Sequence, residues 1–395
     1  MMAWHRYTLE DIAPATTSNV FPNPEDIVWH LGLEDIESGT GVVLNKHRAP
    51  ASDARTSTYS FDQGHVLYSK LRPYLNKVVV PDEPGMATTE LIPLRPRPEI
   101  VCRDFLSYYL RSPSFVRYAS HYVTGAKMPR VILDRFWQHE VHIPPLSEQH
   151  RIVELLDEVD QLRRLRSKGN AKADRIPPAL FLKMFGDPVT NPMRWPVKPL
   201  GEIGQLDRGR SRHRPRNDPA LLGGPYPLVQ TGEVANSKGR IREYSHTYSE
   251  RGLAQSKLWP AGTLCITIAA NIANTGVLEF DACFPDSIVG FVPGKQATTE
   301  YVQFVINRLR NTLDRNAPQL AQKNINLKVL RSLPVPVPPI ELQRRFSDLV
   351  KANADYSSRQ ESVQCHLNRL FESTMARALS GDLTCSSSNF MRVER

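Results

Sequence analysis

The sequence contains few cysteines and no long apolar run. The five cysteines include no Cys-x-x-Cys pair, which argues against a structural zinc site and against a disulfide framework. No apolar stretch approaches the ~18–20 residues that a membrane-spanning helix needs. Residues 1–10 carry charge and lack the apolar segment of a signal peptide. We therefore expect a cytoplasmic protein without a membrane segment.

The sequence also lacks the common motifs of catalysis. Gly294-Lys295 is followed by Gln296 and has no upstream glycine, so it is not a phosphate-binding loop. Neither Asn23-Pro24 nor Asn191-Pro192 continues as the Pro-aromatic tetrapeptide of amino-methyltransferases. Pro81-Asp82 and Pro285-Asp286 lack the acid-x-lysine element that would help to hold Mg²⁺ in a nuclease. The histidines form no ligand spacing. We predict no catalytic, cofactor-binding or metal-binding residue in this chain.

Basic charge is what the sequence does have. The 395 residues carry a net charge of +9, and the pI is about 9.3. This length predicts two or more domains, and the basic balance favours a polyanionic partner, with nucleic acid the first candidate.

A long repeat divides the chain. The segments Ile143–Arg151 and Val337–Arg345 share the pattern aliphatic-Pro-Pro-aliphatic-x-x-Gln-x-Arg, and flanking apolar positions keep the same offset of 194 residues between Ile143 and Val337. This period is far longer than that of solenoid repeats, so it indicates a duplicated domain. Because proline removes a backbone donor and disfavours helix in the residue before it, each Pro-Pro pair predicts the end of a strand and the start of a helix.

The helices predicted after each Pro-Pro pair are long. Residues 341–380 contain no proline or glycine and follow a heptad-like apolar pattern up to Gly381, a predicted C-cap. At ~1.5 Å per residue this helix would be about 60 Å long. In the first copy, Pro177-Pro178 predicts a kink or break. Such narrow apolar stripes need a partner, and pseudo-twofold duplication would make the two helices antiparallel. The alternative is that each helix packs on its own domain.

The other two blocks of the chain have similar patterns. Strand-like runs are predicted at Gly64–Tyr68, Lys77–Val80, Gly262–Ile268 and Ile288–Val292, and short helices at Phe105–Arg111 and Tyr301–Leu309. We therefore predict an α+β protein, in which two similar mixed α/β domains are separated by two long helices that form an antiparallel coiled coil. The predicted boundaries are domain 1 at 1–142, helical region 1 at 143–190, domain 2 at 191–336, helical region 2 at 337–384 and a flexible tail at 385–395.

Several motifs together resemble one known family over essentially the full length. They are the two Pro-Pro boundaries with their helices, the segment Leu180–Pro188 with Trp195, and the signature-like segments Gly64–Lys77 and Gly262–Ile268. On these residues the chain resembles the specificity subunit of Type I restriction–modification systems. The Pro177-Pro178 pair departs from the family pattern and puts the continuity of the first helix in doubt.

The resemblance implies a DNA-reading subunit that is not itself an enzyme. Each domain would be a target-recognition domain for one half of a bipartite double-stranded DNA target. The helices would set the spacing between the halves and dock two methyltransferase subunits, which would use S-adenosylmethionine. A restriction motor-nuclease subunit would join, using ATP and Mg²⁺.

Clusters of cations supply the candidate DNA contacts. Guanidinium groups favour bidentate contacts with phosphate or guanine, and five arginines within nine residues cannot all be buried unpaired. The candidates are Lys70, Arg72, Lys77, Lys127 and Arg130 in the first domain, and Arg208, Arg210, Arg212, Arg214, Arg216, Lys238, Arg240, Arg242, Lys323 and Asn324 in the second. The alternative for the arginine run is a solvated loop. For Lys70 and Arg72 it is packing of their stems on Tyr74.

Two other classes of function stay open from the residues alone. One is a DNA-modifying or DNA-cleaving enzyme with a degenerate site. The other is a protein-assembly scaffold, whose associations would be insensitive to salt, whereas phosphate contacts make DNA binding steeply salt-dependent.

Overall fold

A computed structural model describes residues 4–18, 22–53, 58–213, 215, 218–269, 273–315 and 327–382, with the side chains of 311–315 excepted. Four predicted DNA contacts, Arg214, Arg216, Lys323 and Asn324, lie outside these residues, as does the predicted tail. The chain divides into two compact units. Unit 1 contains residues 1–167 and 362–395, and unit 2 contains residues 168–361.

Unit 1 is built from short strands and amphipathic helices. Its strands are β1 (His5–Thr8), β2 (Ile27–Leu31), β3 (His47–Pro50), β4 (Thr58–Phe61), β5 (Val66–Ser69), β6 (Val78–Val79), β7 (Gly85–Thr88), β8 (Leu91–Leu94), β9 (Val123–Thr124), β10 (Arg130–Val131) and β11 (Glu140–Ile143). Its helices are α1 (Leu9–Ile12), α2 (Arg103–Arg111), α3 (Pro113–His121), α4 (Leu133–Trp137) and most of α5 (Leu146–Ala173). The sheets have the orders β3-β2-β7-β4 and β6-β5-β8, and β1–β11 and β9–β10 form two further pairs.

The buried strands and caps of unit 1 follow from local sequence. β5 and β8 are largely apolar and are buried at every position. Ser112 separates α2 from α3, because its hydroxyl accepts the Phe115 N–H at 3.3 Å while Pro113 occupies the first turn of α3.

Unit 2 is built from the same kinds of strands and helices as unit 1, but its sheets are larger. Its strands are β12 (Val197–Pro199), β13 (Gly204–Arg208), β14 (Leu222–Leu228), β15 (Arg240–Ile241), β16 (His246–Tyr248), β17 (Leu258–Trp259), β18 (Leu264–Thr267), β19 (Thr275–Leu278), β20 (Ala282–Cys283), β21 (Ile288–Pro293) and β22 (Pro334–Pro336). Its helices are α6 (Ile176–Phe185), α7 (Leu200–Ile203), α8 (Thr231–Asn236), α9 (Glu250–Ala254), α10 (Thr299–Arg315), α11 (Leu327–Arg331) and the first half of α12 (Ile340–Ser380). The sheets have the orders β13-β21-β18-β19-β15 and β16-β14-β20-β17, and β12 pairs with β22.

The strands that lead into the long helices repeat most closely. β1 pairs antiparallel with β11 in unit 1, as β12 does with β22 in unit 2. A short helix follows the first strand of each pair, and its first amide donates to a carbonyl just before the second strand: Leu9 N–H to His139 O at 3.0 Å, and Leu200 N–H to Leu333 O at 2.9 Å. The predicted duplication and the α+β fold class are thereby confirmed.

The long helices contribute to both units. α12 is continuous over 41 residues and ends before Gly381, whose φ is +85°, as predicted for a C-cap. The first copy is interrupted between α5 and α6, with Pro177 and Pro178 in the first turn of α6, which confirms the predicted break. The structural division therefore cuts across the linear domain boundaries that we predicted.

Each unit buries the start of one helix and the end of the other. In unit 1, Ile152 and Leu156 of α5 share a core with Phe371 and Met375 of α12. Arg163 donates to Asn368 at 3.0 Å, and its guanidinium lies 4.2 Å from the Phe371 ring centroid.

In unit 2, Phe181 and Phe185 of α6 share a core with Phe346 and Val350 of α12. This order of contacts is the one that antiparallel helices produce, and it also satisfies the alternative that each helix packs on its own domain. Between these anchored ends, Leu162 and Leu165 in α5 and Tyr356 in α12 are half or more exposed. The continuous coiled coil stays a prediction.

A half-buried histidine in unit 1 is expected to respond to acid. The His139 ring lies between Phe115 and Tyr118, and its Nε2 lies 2.9 Å from the Tyr109 hydroxyl. Burial lowers the pKa of His139 from 6.5 to about 4. Since the folded pKa lies below the unfolded one, the neutral ring stabilises the fold above pH ~6.5, and this contribution is lost as the pH falls towards 4. We expect chemical denaturation of the chain to show this loss.

The expected result is a fall in the free energy of unfolding of unit 1 between pH 6.5 and 4 that His139→Gln largely removes, since an amide does not titrate. His142→Gln, at an exposed position of β11, is the control and should leave the pH profile unchanged. An identical acid response in wild type and His139→Gln would show that another group controls it.

Candidate nucleic-acid interface

An exposed arginine segment leaves the edge of the large sheet in unit 2. β13 pairs with β21 and ends at Arg208. At the next residue, the Gly209 N–H donates to Ile288 O at 2.9 Å. A Cβ on Gly209 would lie 2.2 Å from Phe284 O, so only glycine allows this close backbone approach.

The backbone of this segment is held by two side chains from outside it. Gln255 Oε1 accepts the N–H groups of Arg212 at 2.6 Å and of His213 at 3.1 Å. The Ser256 hydroxyl donates to the Arg210 carbonyl at 2.9 Å. The loop is therefore fixed by its main chain, which leaves its side chains available for other contacts.

Three arginine side chains of this segment lie on the protein surface. Arg208, Arg210 and Arg212 are exposed, and in the described ranges none of their guanidinium groups has an ion-pair partner. The nearby Asp218 is already occupied: the Ala220 N–H and His213 at 2.9 Å lower the pKa of its carboxyl. Cations that are carried on a hydrogen-bonded backbone and have no carboxylate partner among the described residues are suited to bind phosphate. We call Arg208, Arg210 and Arg212 the arginine loop.

In unit 1 the structure brings two predicted clusters together. The Arg72 N–H donates to Pro129 O at 2.7 Å, and Val131 N–H donates to Lys70 O at 2.9 Å. Lys127 lies at the exposed tip of the same loop, Arg72 is exposed and Lys70 is half-buried. Segments 70–72 and 125–131, distant in sequence, therefore form one basic surface.

Two predicted contacts in unit 1 have structural partners. Arg130 binds both carboxylate oxygens of Glu90, with Nη2 2.8 Å from Oε1, and this pair raises the pKa of the guanidinium. Lys77 Nζ donates to the Leu33 carbonyl at 2.6 Å. Because these donors are engaged within the unit, the geometry favours a structural role for Arg130 and Lys77, and their contact with DNA stays a prediction.

The predicted cluster around Gly239 faces α12. Lys238 forms an ion pair with Glu361, and Arg242 Nη2 lies 3.8 Å from Asp355. All four side chains are partly exposed, so each pair contributes little to stability. A cavity of about 930 Å³ lies beside them.

Arg240, the central cation of that cluster, is mostly buried. It pairs with Glu279 and lies 3.4 Å from Glu300, which is also 3.7 Å from Lys351 of α12. Its charge is compensated inside unit 2, which favours a structural role for Arg240, and its predicted contact with DNA stays a prediction. The sequence could not reveal this, because the partner carboxylates come from segments remote in the chain.

Sequence reasoning missed the residues that anchor the arginine loop. Gln255 and Ser256 follow a short helix more than 40 residues after the arginines, and no local pattern connects them. The only available signal was a helical segment after the Ser249 cap, whose hydroxyl accepts the Gly252 N–H.

Neither a metal site nor a membrane helix was found in the described part of the chain. No three His, Cys, Asp or Glu side chains among the described residues are grouped so that they could hold a metal ion. No helix within the described ranges is both long enough and apolar enough to cross a bilayer.

Comparisons with known proteins agree on one family. A family model described as the Type I restriction modification DNA specificity domain matches residues 40–173 and 192–355. The chain is similar to the Type I restriction enzyme EcoDI specificity subunit of Escherichia coli, with 25% identity over 194 residues, 48% of this chain. The match covers 42% of that relative, so the chain spans less than half of its length.

Two solved structures share the fold. One belongs to a study of complex assembly and conformational transition of the type I R-M system, with TM-score 0.62 and 19% identity over 96% of this chain and 98% of that one. The other is the S subunit of a Type I restriction–modification system from M. genitalium, with TM-score 0.57 and 14% identity over 96% of each chain. Because both identities are below 25%, these two structures show only that the fold is shared.

The family match extends over both halves of the chain, and each half carries an exposed basic surface. The chain belongs to the family of Type I restriction–modification DNA specificity proteins.

Proposed function

We propose that each unit of this chain binds one half of a split double-stranded DNA target. The single observation that carries the proposal is the arginine loop, which has a fixed backbone and no carboxylate partner among the described residues. Unit 1 offers a second basic surface around Arg72 and Lys127. Two similar units with separate basic surfaces suit a target read in two pieces.

The chemistry of the arginine loop suits both phosphate and guanine. A guanidinium binds two acceptors at once. It thereby adds affinity and helps to fix the position of the protein along the DNA. Because Gln255 and Ser256 already order the loop backbone, binding would immobilise side chains only, which lowers the entropic cost. Arg214 and Arg216, which lie outside the described residues, stay candidate contacts from the sequence alone.

The helices would link recognition to the rest of the complex. We propose that α5, α6 and α12 set the distance between the half-sites and provide the surface on which two methyltransferase subunits dock. Their exposed apolar residues support this, since Leu162, Leu165 and Tyr356 are not covered within their own units.

The chemical steps would belong to the partners. We propose that this chain is not an enzyme, that methyltransferase subunits supply S-adenosylmethionine chemistry, and that a motor-nuclease subunit uses ATP and Mg²⁺. The complex would act in the cytoplasm, where its DNA lies.

Methylation mapping tests the proposal. The chain is purified with its methyltransferase subunit, and methylated sites are identified across random DNA. Two short motifs separated by a fixed gap of unspecified bases are expected. Methylated sites without a split motif would contradict the proposal. Cleavage or methylation by the chain alone would favour the degenerate enzyme, and salt-insensitive protein binding without DNA affinity would favour the scaffold.

A further inference from the structure

Two fully buried glutamines make the same set of contacts in the two units. In unit 1, Gln149 Oε1 accepts the Cys102 N–H, and its Nε2 donates to the carbonyls of Ile100 and Pro144, all at 2.8 Å. The Gln149 side chain lies in the first turns of α5 and has no exposed surface.

In unit 2, Gln343 repeats this arrangement. Its Oε1 accepts the Thr298 N–H at 3.0 Å, and its Nε2 donates to Gln296 O at 3.0 Å and to Pro338 O at 2.9 Å. Gln343 is also fully buried. A geometry that occurs twice in divergent surroundings is difficult to attribute to packing alone.

Each amide joins three segments of its unit. Cys102 and Thr298 directly precede the helices α2 and α10, which belong to the part of each unit outside the long helices; we call this part the head. The carbonyls of Pro144 and Pro338 belong to the Pro-Pro boundaries. The glutamine itself belongs to the long helix. One side chain therefore connects the head, the strand that leaves it and the helix that follows.

The bonding leaves each glutamine little freedom. Both amide hydrogens are used, and the amide oxygen accepts one bond, so rotation of the side chain would break two or three buried hydrogen bonds. A buried donor or acceptor that loses its partner destabilises the fold, because it is no longer hydrogen-bonded to protein or to water. In unit 2 the Ser347 hydroxyl, 2.9 Å from Thr298 Oγ1, adds a second link between α12 and the same loop.

We propose that Gln149 and Gln343 are positioning residues, which fix the direction in which each long helix leaves its own head and so restrict the half-site spacing that the protein accepts. This inference rests on the proposed reading of a split DNA target. The residues would not touch DNA. Loosening one of them would leave the bases read by each head unchanged and would widen the range of accepted gaps.

The test compares two buried glutamines of unit 2. Gln343→Leu removes the link to α12. Gln303→Leu is the matched control, because Gln303 is also buried but donates to Gly239 O at 2.7 Å within the head. Each variant is assembled with the methyltransferase subunit, and methylation is measured on DNA that carries both half-sites at every gap within a few base pairs of the wild-type optimum.

With Gln343→Leu, we expect the methylation rate at gaps one base pair from the optimum, relative to that at the optimum, to rise about tenfold, the factor equivalent to ~1.4 kcal/mol. Gln303→Leu should lower thermal stability similarly and leave this ratio unchanged. Equal ratios for wild type, Gln343→Leu and Gln303→Leu would overturn the inference, as would an equal rise in both variants.

Two further variants keep the test decisive if Gln343→Leu does not assemble. Gln149→Leu in unit 1 should widen the accepted gaps in the same way, and Ser347→Ala should do so more weakly. Failure of both to change the gap preference would overturn the inference. A wild-type complex that methylates without any split motif would instead contradict the proposed function, so the two failures are distinguishable.

Discussion

Replacement of Arg210 and Arg212 together by alanine is expected to weaken binding of the assembled complex to its target by about thirtyfold or more, given ~1–3 kcal/mol for each of two bidentate arginine contacts. The two guanidinium groups are exposed on a backbone that Gln255 and Ser256 hold in place. If both contact phosphates, the slope of log affinity against log salt should fall by about two units, since each phosphate contact contributes ~0.9.

The measurement is a salt titration of DNA affinity for the wild-type and variant complexes. Lys295→Ala with Arg310→Ala is the control, because it removes the same charge from exposed positions of unit 2 that lie outside the long helices and outside the candidate DNA contacts. The control should change affinity little. If the arginine-loop variant kept its affinity and its salt slope, the loop would not belong to the interface.

A shortened pair of long helices is expected to shift the gap between half-sites without changing the half-sites. Deletion of residues 165–171 from α5 and 358–364 from α12 removes two turns from each helix, outside the core positions around Leu156 and Phe371. Seven residues span about 10.5 Å of helix, which corresponds to about three base pairs at ~3.4 Å per step.

Methylation mapping of the shortened protein would measure this shift. The control is alanine substitution of residues 358–364 without deletion, which should keep the wild-type gap. A gap that does not change in the shortened protein would show that the helices are not what sets the distance.

The sequence predicted those features of the fold that depend on local rules. The Pro-Pro pairs marked both transitions from strand to long helix. Pro177 and Pro178 indicated the break before α6, and Gly381 marked the end of α12. These effects act within a few residues, through the backbone donor that proline lacks and the left-handed conformation that glycine permits.

Local rules of this kind could not predict the order of the strands in the sheets. β2 pairs with β7 in parallel, and β5 pairs with β8, across intervening segments whose length no local pattern restricts. The helix seam was also only partly predicted. The heptad pattern identified α12, but residues outside the long helices, such as Tyr301 of α10, also share the core that buries the start of α12, and Tyr356 within the heptad pattern remains exposed.

For the candidate DNA contacts, the amino-acid composition predicted which cations are exposed better than it predicted which of them pair with carboxylates. The arginine loop is exposed as expected, because several guanidinium groups in a short segment find no room in a core. Arg130 and Arg240 looked similar in sequence, yet Glu90 and Glu300 compensate them from other parts of the chain. A charge run reveals cations, but only the fold reveals which of them already have a carboxylate.

Cross-linking would test most directly the claim that each unit contacts its own stretch of DNA. A photoreactive residue is placed at Arg210 in one variant and at Lys127 in another, and the cross-linked bases are mapped in the assembled complex. The account predicts two separate groups of bases, one for each position, with an uncross-linked gap between them. Cross-links from both positions to the same bases, or from neither position to DNA, would contradict it.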